Sequence, residues 1–151
     1  VEMSKVPLFG FIYKKAIVTV DRSSPENRAE SIHILKSIIS KGISVLVFPE
    51  GTFNMTNKPL KDFYDGAFRL AIETQTPLKP VLFPDTYARM SYKEILSLTP
   101  GRCRIVYLDP IPVDNLNNED VSLKKQKVYD EMEKKLIEYE ASWLLPSPKG
   151  V

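Results

Sequence analysis

With 151 residues, 43% of them hydrophobic and 26% charged, the chain has the length and balance of one soluble domain with a buried core. A net charge of +2, with the basic residues spread out rather than gathered in a stripe, argues against a nucleic-acid partner. A single cysteine rules out an internal disulfide, and with a single histidine it argues against a Cys/His metal site, so no metal is expected.

The first predicted element is "KAIVTV" (residues 15–20), a short β-branched strand. Ser24, Pro25 and Glu26 then supply an N-cap, a proline at the first helical position and an acid in the first turn. Ala29, Ile32, Leu35, Ile38 and Ile39 follow at helical spacing, and Gly42 after Lys41 marks the stop. "SVLVF" (44–48) is apolar on both faces, the pattern of a central parallel strand.

These three pieces make a βαβ unit whose strands end on the same sheet edge. Asp21 and Arg22 follow the first strand; Glu50, Gly51 and Thr52 follow the second. Both clusters are thereby expected at the carboxyl edge, where open α/β sheets bind ligands. Leu60, Phe63, Ala67, Phe68, Ala71 and Ile72 predict a second helix, "KPVLF" (79–83) a third strand and "RCRIVYL" (102–108) a fourth. A proline-broken stretch leads to a final amphipathic helix with Val121, Leu123, Val128, Met132, Leu136 and Tyr139 on one stripe. The expected fold is α/β, a mostly parallel sheet with βαβ crossovers, in one domain over 1–145 with a flexible tail at 146–151.

Arg22, at a strand end just before a helix N-terminus, suits bidentate phosphate binding, or it is a solvated arginine paired with an acid. Glu50 can hold a substrate hydroxyl, orient a histidine, pair with Arg22 or cap the following turn. Pro49 before it and Gly51 after it favour a shaped loop that backbone and ligand approach closely. His33 lies inside the first helix with Ser37, not an acid, four residues on, which points to a structural part. Cys103 shares a strand face with Ile105 and Tyr107 and reads as core packing. No Ser/His/Asp set, Walker loop or dinucleotide fingerprint is present. The charged outer face of the final helix reads as solvated, and Trp143, Leu144 and Leu145 are thin support for membrane contact.

In order, these pieces resemble the glycerolipid acyltransferase family, best known through the lysophosphatidate acyltransferases. Its third motif stands as Phe48-Pro49-Glu50-Gly51-Thr52, and its second closes "IVTVDR" on Asp21 and Arg22. The fourth, a proline-bracketed apolar strand, matches Pro80, Val81 and Pro84 in "KPVLFP", and "PLFG" (7–10) looks like the segment before the second. The resemblance covers residues 5–112. It implies that Asp21, Arg22, Glu50, Gly51 and Thr52 bind the phosphate and glycerol of an acyl acceptor, with the fourth-motif strand supporting the acyl-donor side or the core. The implied partners are acyl-CoA or acyl carrier protein and a lysophospholipid acceptor, and no cofactor is implied.

Three departures from the family pattern stand out. The Asn-His-x-x-x-x-Asp motif, whose histidine is the family's general base, is expected upstream of Val1. Phe53 and Asn54 replace the usual Arg-Ser after the third motif, and Asp65 precedes Gly66 where a lysine is common. Lys58 and Lys61 are candidates to restore the lost positive charge.

No apolar run reaches the roughly 18 residues that span a bilayer, and no signal peptide is visible. A chain beginning at Val1 reads as a piece of a longer protein, expected at the cytoplasmic face of a membrane and reaching it through a preceding segment. By itself the piece is expected to be inactive. The competing readings are a non-catalytic lipid-phosphate-binding module of the same fold and a generic nucleotide-binding α/β domain.

Overall fold

The computed structural model describes residues 25–56, 58–90 and 98–144. The chain divides into two compact units, Val1–Leu46 and Val47–Val151.

The described part of the first unit is helix α1, Pro25–Ser40, which starts on the predicted proline. Its end is a Schellman motif. Gly42 takes φ +75°, its N–H donates to the Ile39 carbonyl (2.9 Å), and the Ile43 N–H reaches back to Ile38 (3.3 Å). Only glycine adopts that left-handed backbone without crowding a Cβ, which is why Gly42 is legible as a stop. His33, expected to play a structural part, is exposed on this helix. The predicted strand 15–20, Ser24, Asp21, Arg22 and the tail 146–151 lie outside the described residues.

Residues 44–48 carry no strand, and Leu46, Val47 and Phe48 are exposed rather than covered on both faces. Their predicted parallel partner lies outside the described residues. The sheet that is described is antiparallel. Strand β1, Val81–Leu82, pairs with β2, Val106–Tyr107, in the register Val81 to Tyr107 and Leu82 to Val106. The ladder continues to a bridge between Leu78 and Ile111. Residues 79 and 80 thus face 108, 109 and 110 across the pair: one extra residue, a bulge, beside Pro110, which has no N–H to give a ladder.

Helix α2, Gly66–Glu73, begins later than its apolar stripe. Leu60 and Phe63 are buried as predicted but lie outside the helix. The Lys61 and Tyr64 N–H groups explain this, because both donate to the 48–52 turn instead of to carbonyls four residues back. A four-residue helix α3, Thr86–Arg89, follows β1. A 3-10 turn, Asn118–Asp120, capped by the Asn117 side chain, leads into α4, Val121–Glu138.

The core of this second unit is one cluster. Leu60, Phe63, Phe68, Ile72, Leu82, Val113, Val121, Val128 and Leu136 are all buried in it. Phe63 stacks on Phe68 at 6.0 Å between centroids and meets Tyr129 edge-on at 5.2 Å. On α4 the stripe through Val121, Val128, Met132 and Leu136 faces inward, but Leu123 is 75% exposed. Two residues past Val121 is about 200° of rotation, the far side of the helix. In the 102–108 strand the alternation runs opposite to expectation for Cys103. Val106 and Leu108 pack on the core, whereas Cys103, Ile105 and Tyr107 are exposed. Cys103 does share its face with Ile105 and Tyr107, but that face is the exposed one.

Candidate functional site: the Glu50 turn

Residues 48–51 form a tight turn closed by the Gly51 N–H on the Phe48 carbonyl at 3.1 Å. Pro49 presets the second position, and Gly51 at φ +70° supplies the left-handed exit. The turn places Glu50 and Thr52 at the end of the apolar run 44–48, which answers why a proline and a glycine flank a carboxylate here.

The non-helical chain 61–64 lies along this turn and fastens it at three points. The Tyr64 N–H donates to the Pro49 carbonyl (2.9 Å), and the Lys61 N–H to Glu50 Oε2 (2.8 Å). The Lys61 ammonium donates to Thr52 Oγ1 (2.6 Å). Burial pushes the Glu50 carboxyl above its ordinary value, opposed by the Lys61 amide and the Lys61 charge. The result is a half-buried acceptor beside an ammonium donor, a pairing that suits a ligand carrying both a hydroxyl and an anion.

The C-terminal helix and the turn after it hold the 59–65 segment in place. Tyr129 Oη donates to the Leu60 carbonyl (3.3 Å), and Trp143 Nε1 to the Pro59 carbonyl (3.2 Å). Lys125 pairs with Asp65 at 2.6 Å. A shallow hollow lined by Asp62, Phe63, Lys125, Gln126 and Tyr129 lies along the same segment. None of these supports was singled out in the sequence as touching the site. Trp143 was weighed only as a membrane contact, and residues 69 and 84 positions away in the chain give no local signal of such a contact.

Asn54, which stands in the motif position of a serine, is occupied by its own loop. Its Nδ2 donates to the Lys58 carbonyl (2.9 Å), and its Oδ1 accepts from the Thr56 N–H (2.9 Å) and hydroxyl (2.6 Å). Phe53, Met55 and Tyr64 are exposed around the turn. Asp21 and Arg22 lie outside the described residues, so of the five predicted acceptor-binding residues the structure places Glu50, Gly51 and Thr52.

Of the fourth-motif residues two are buried and one is half-buried. Pro80 and Pro84 are buried and bracket Val81 in β1. Immediately after them Asp85 accepts from Arg104 three times: from the backbone N–H (2.8 Å) and Nε (2.8 Å) on one oxygen, and from Nη2 (2.7 Å) on the other. This fork lowers the Asp85 carboxyl to about 2. The one sequence signal for it was alternation, which puts Arg104 on the inward face with Val106 and Leu108.

The family model described as Acyltransferase matches residues 1–84, the part of the chain that ends with this strand. Curated relatives extend the likeness. The 1-acyl-sn-glycerol-3-phosphate acyltransferase of Cocos nucifera is 31% identical over 118 residues, 77% of this chain and 38% of that protein. The 1-acyl-sn-glycerol-3-phosphate acyltransferase alpha of Ovis aries is 32% identical over 99 residues, 66% of this chain and 34% of its own. An uncharacterised acyltransferase of Schizosaccharomyces pombe is 31% identical over 139 residues, 88% of this chain and 48% of its own. The chain thus spans between a third and a half of the length of these relatives. No solved structure matches it. By matched motifs, matched length and the relatives that share them, the chain belongs to the glycerolipid acyltransferase family.

Proposed function

We propose that the protein containing this chain transfers an acyl group from acyl-CoA or acyl carrier protein to a lysophosphatidate-like acceptor in phospholipid synthesis, and that this chain is the acceptor-binding part. The observation that carries the reading is the Glu50 turn. A half-buried carboxylate, and a hydroxyl that accepts from the Lys61 ammonium, are presented side by side on the third motif of an acyltransferase. The relatives named for a reaction are named for acylating a glycerol phosphate.

In this reading the acceptor hydroxyl loses its proton to a histidine base carried by the family's first motif, outside this sequence. The alkoxide oxygen attacks the thioester carbonyl, backbone donors hold the oxyanion, and the thiolate leaves as the ester forms. Glu50 accepts from a glycerol hydroxyl and orients it, while Arg22, where the family pattern places it, and Thr52 serve the phosphate. The membrane is reached through a preceding segment, on the cytoplasmic face. Among the described residues no helix is long and apolar enough to cross a bilayer.

The test is acyl transfer by the purified full-length protein from labelled oleoyl-CoA to lysophosphatidate, with product identified as phosphatidate. Product formation supports the proposal; no transfer to any lysophospholipid from either donor class overturns it. The 151-residue chain alone is expected to show no turnover, since loss of the base costs about two to four orders of magnitude and loss of its positioning more. Measurable turnover by that chain would sink the assignment of an acceptor-binding part without chemistry.

A further inference from the structure

The third motif of this chain lacks the cation that follows it elsewhere in the family, and the structure shows what stands nearby instead. Phe53 is apolar, and Asn54 is consumed by bonds within its own loop. Asp65, in place of a lysine, is neutralised by Lys125. Among the described residues, the cation that touches the turn is Lys61, whose ammonium donates to Thr52 Oγ1 at 2.6 Å. That is its one side-chain hydrogen bond among the described residues, which leaves two N–H donors for a ligand. Its position is set by the backbone: the Lys61 N–H is held on Glu50, and the preceding residues are held by Tyr129 and Trp143.

We propose that Lys61 is a specificity residue that binds the phosphate monoester of the acceptor, with the Thr52 hydroxyl as its neighbour, in place of the absent motif arginine. The proposal rests on the acyl-transfer reading above. An ammonium suits this task as a point charge rather than a fork, so it fixes the charge of the head group more than its orientation. A merely structural role is a poor fit, because an exposed side-chain bond to a hydroxyl contributes little to stability.

The experiment uses the full-length protein with Lys61→Met, Lys61→Arg and a control, Lys134→Met, on the exposed side of α4. KM is measured for lysophosphatidate, for a monoacylglycerol lacking the phosphate, and for acyl-CoA, together with Tm. Lys61→Met is expected to raise the lysophosphatidate KM about ten- to hundredfold, as loss of a charge-assisted hydrogen bond does. The monoacylglycerol and acyl-CoA values and Tm should stay within about twofold and about 2 °C. Lys61→Arg should recover most of the loss. An unchanged lysophosphatidate KM, an equal loss on both acceptors, or a shift in the acyl-CoA KM would each overturn the proposal; the last would assign Lys61 to the phosphates of the donor.

Failure of the function reading is seen separately, as absence of transfer by the wild-type protein. Calorimetric binding of glycerol 3-phosphate then decides Lys61 by itself. Binding that Lys61→Met abolishes upholds the phosphate site, and equal binding, or none by the wild type, removes it.

Discussion

The second unit holds two carboxylates at the ends of apolar runs, and their surroundings push them in opposite directions. Asp85 accepts three hydrogen bonds from Arg104, two of them from the guanidinium, and its carboxyl is held at about 2. Glu50 accepts one backbone N–H, and burial raises it. The first carboxylate has its acceptor capacity largely filled by its own chain; the second keeps lone pairs available in a partly dry setting. A filled carboxylate locks a corner, whereas an under-filled one is ready for a ligand. The Asp85 corner is also tied to the chain after α4, through the Ser142 N–H on the Pro84 carbonyl (2.7 Å) and the Ala88 N–H on Ser142 Oγ (3.2 Å).

The comparison breaks first at the core beneath the Asp85 corner. Leu82→Ala removes a side chain that is among the largest fully buried ones and should cost about 2–5 kcal/mol in denaturant unfolding. A loss under about 1 kcal/mol would mean that the β1 face is not part of a packed core.

Asp85→Asn comes next, with an expected fall in Tm of roughly 5–10 °C at neutral pH. The sign with pH follows from the direction of the shift. A carboxyl lowered from 3.8 to about 2 contributes stability above its unfolded value and loses it as pH falls through the folded one. The gap between wild type and variant should therefore close between about pH 4 and pH 2, and a gap that persists at pH 2 would deny the ion pair this role.

Gly51→Ala tests the turn. A Cβ at φ +70° should cost roughly 1–2 kcal/mol and weaken acceptor binding, since it moves Glu50 relative to Lys61. Equal stability and equal acceptor KM would show that the turn tolerates a right-handed exit.

Glu50→Gln should show the smallest stability effect and the clearest contrast. The amide oxygen still accepts the Lys61 N–H, so at neutral pH stability is expected to be equal or slightly raised. A carboxyl raised by folding contributes favourably below its unfolded value of 4.5 and loses that contribution as pH rises through the folded value. The variant lacks this decline. Its acceptor KM should nevertheless rise about tenfold, because one strong acceptor is lost. Destabilisation of the size seen at Asp85 would place Glu50 among the structural carboxylates and collapse the comparison.

Local chemistry was the legible part. Pro25 and Gly42 bounded α1, and the turn at Glu50, Gly51 and Thr52 is where the motif put it. The inward face of α4 followed from helical spacing, except at Leu123, which is exposed, and Tyr139, which caps the helix outside the core cluster. These are one-dimensional properties: a proline's φ, a glycine's tolerance of φ > 0 and the 3.6-residue period act within a few residues.

What tertiary structure alone decided was pairing. The same apolar strand patterns serve parallel and antiparallel ladders, and the bulge at Pro110 shows the pair 78–82 and 106–111 settled as the latter. Likewise Cys103 and Leu108 carry equal claims to a core by composition, and only the register against β1 chose Leu108. The charge of the site belongs to this class too. Residue types showed a motif that had lost its arginine, but only the packing of 59–65 against α4 brought Lys61 onto Thr52. Contacts between distant segments depend on which surfaces are buried together, and that is a property of the folded chain as a whole, absent from any local stretch of it.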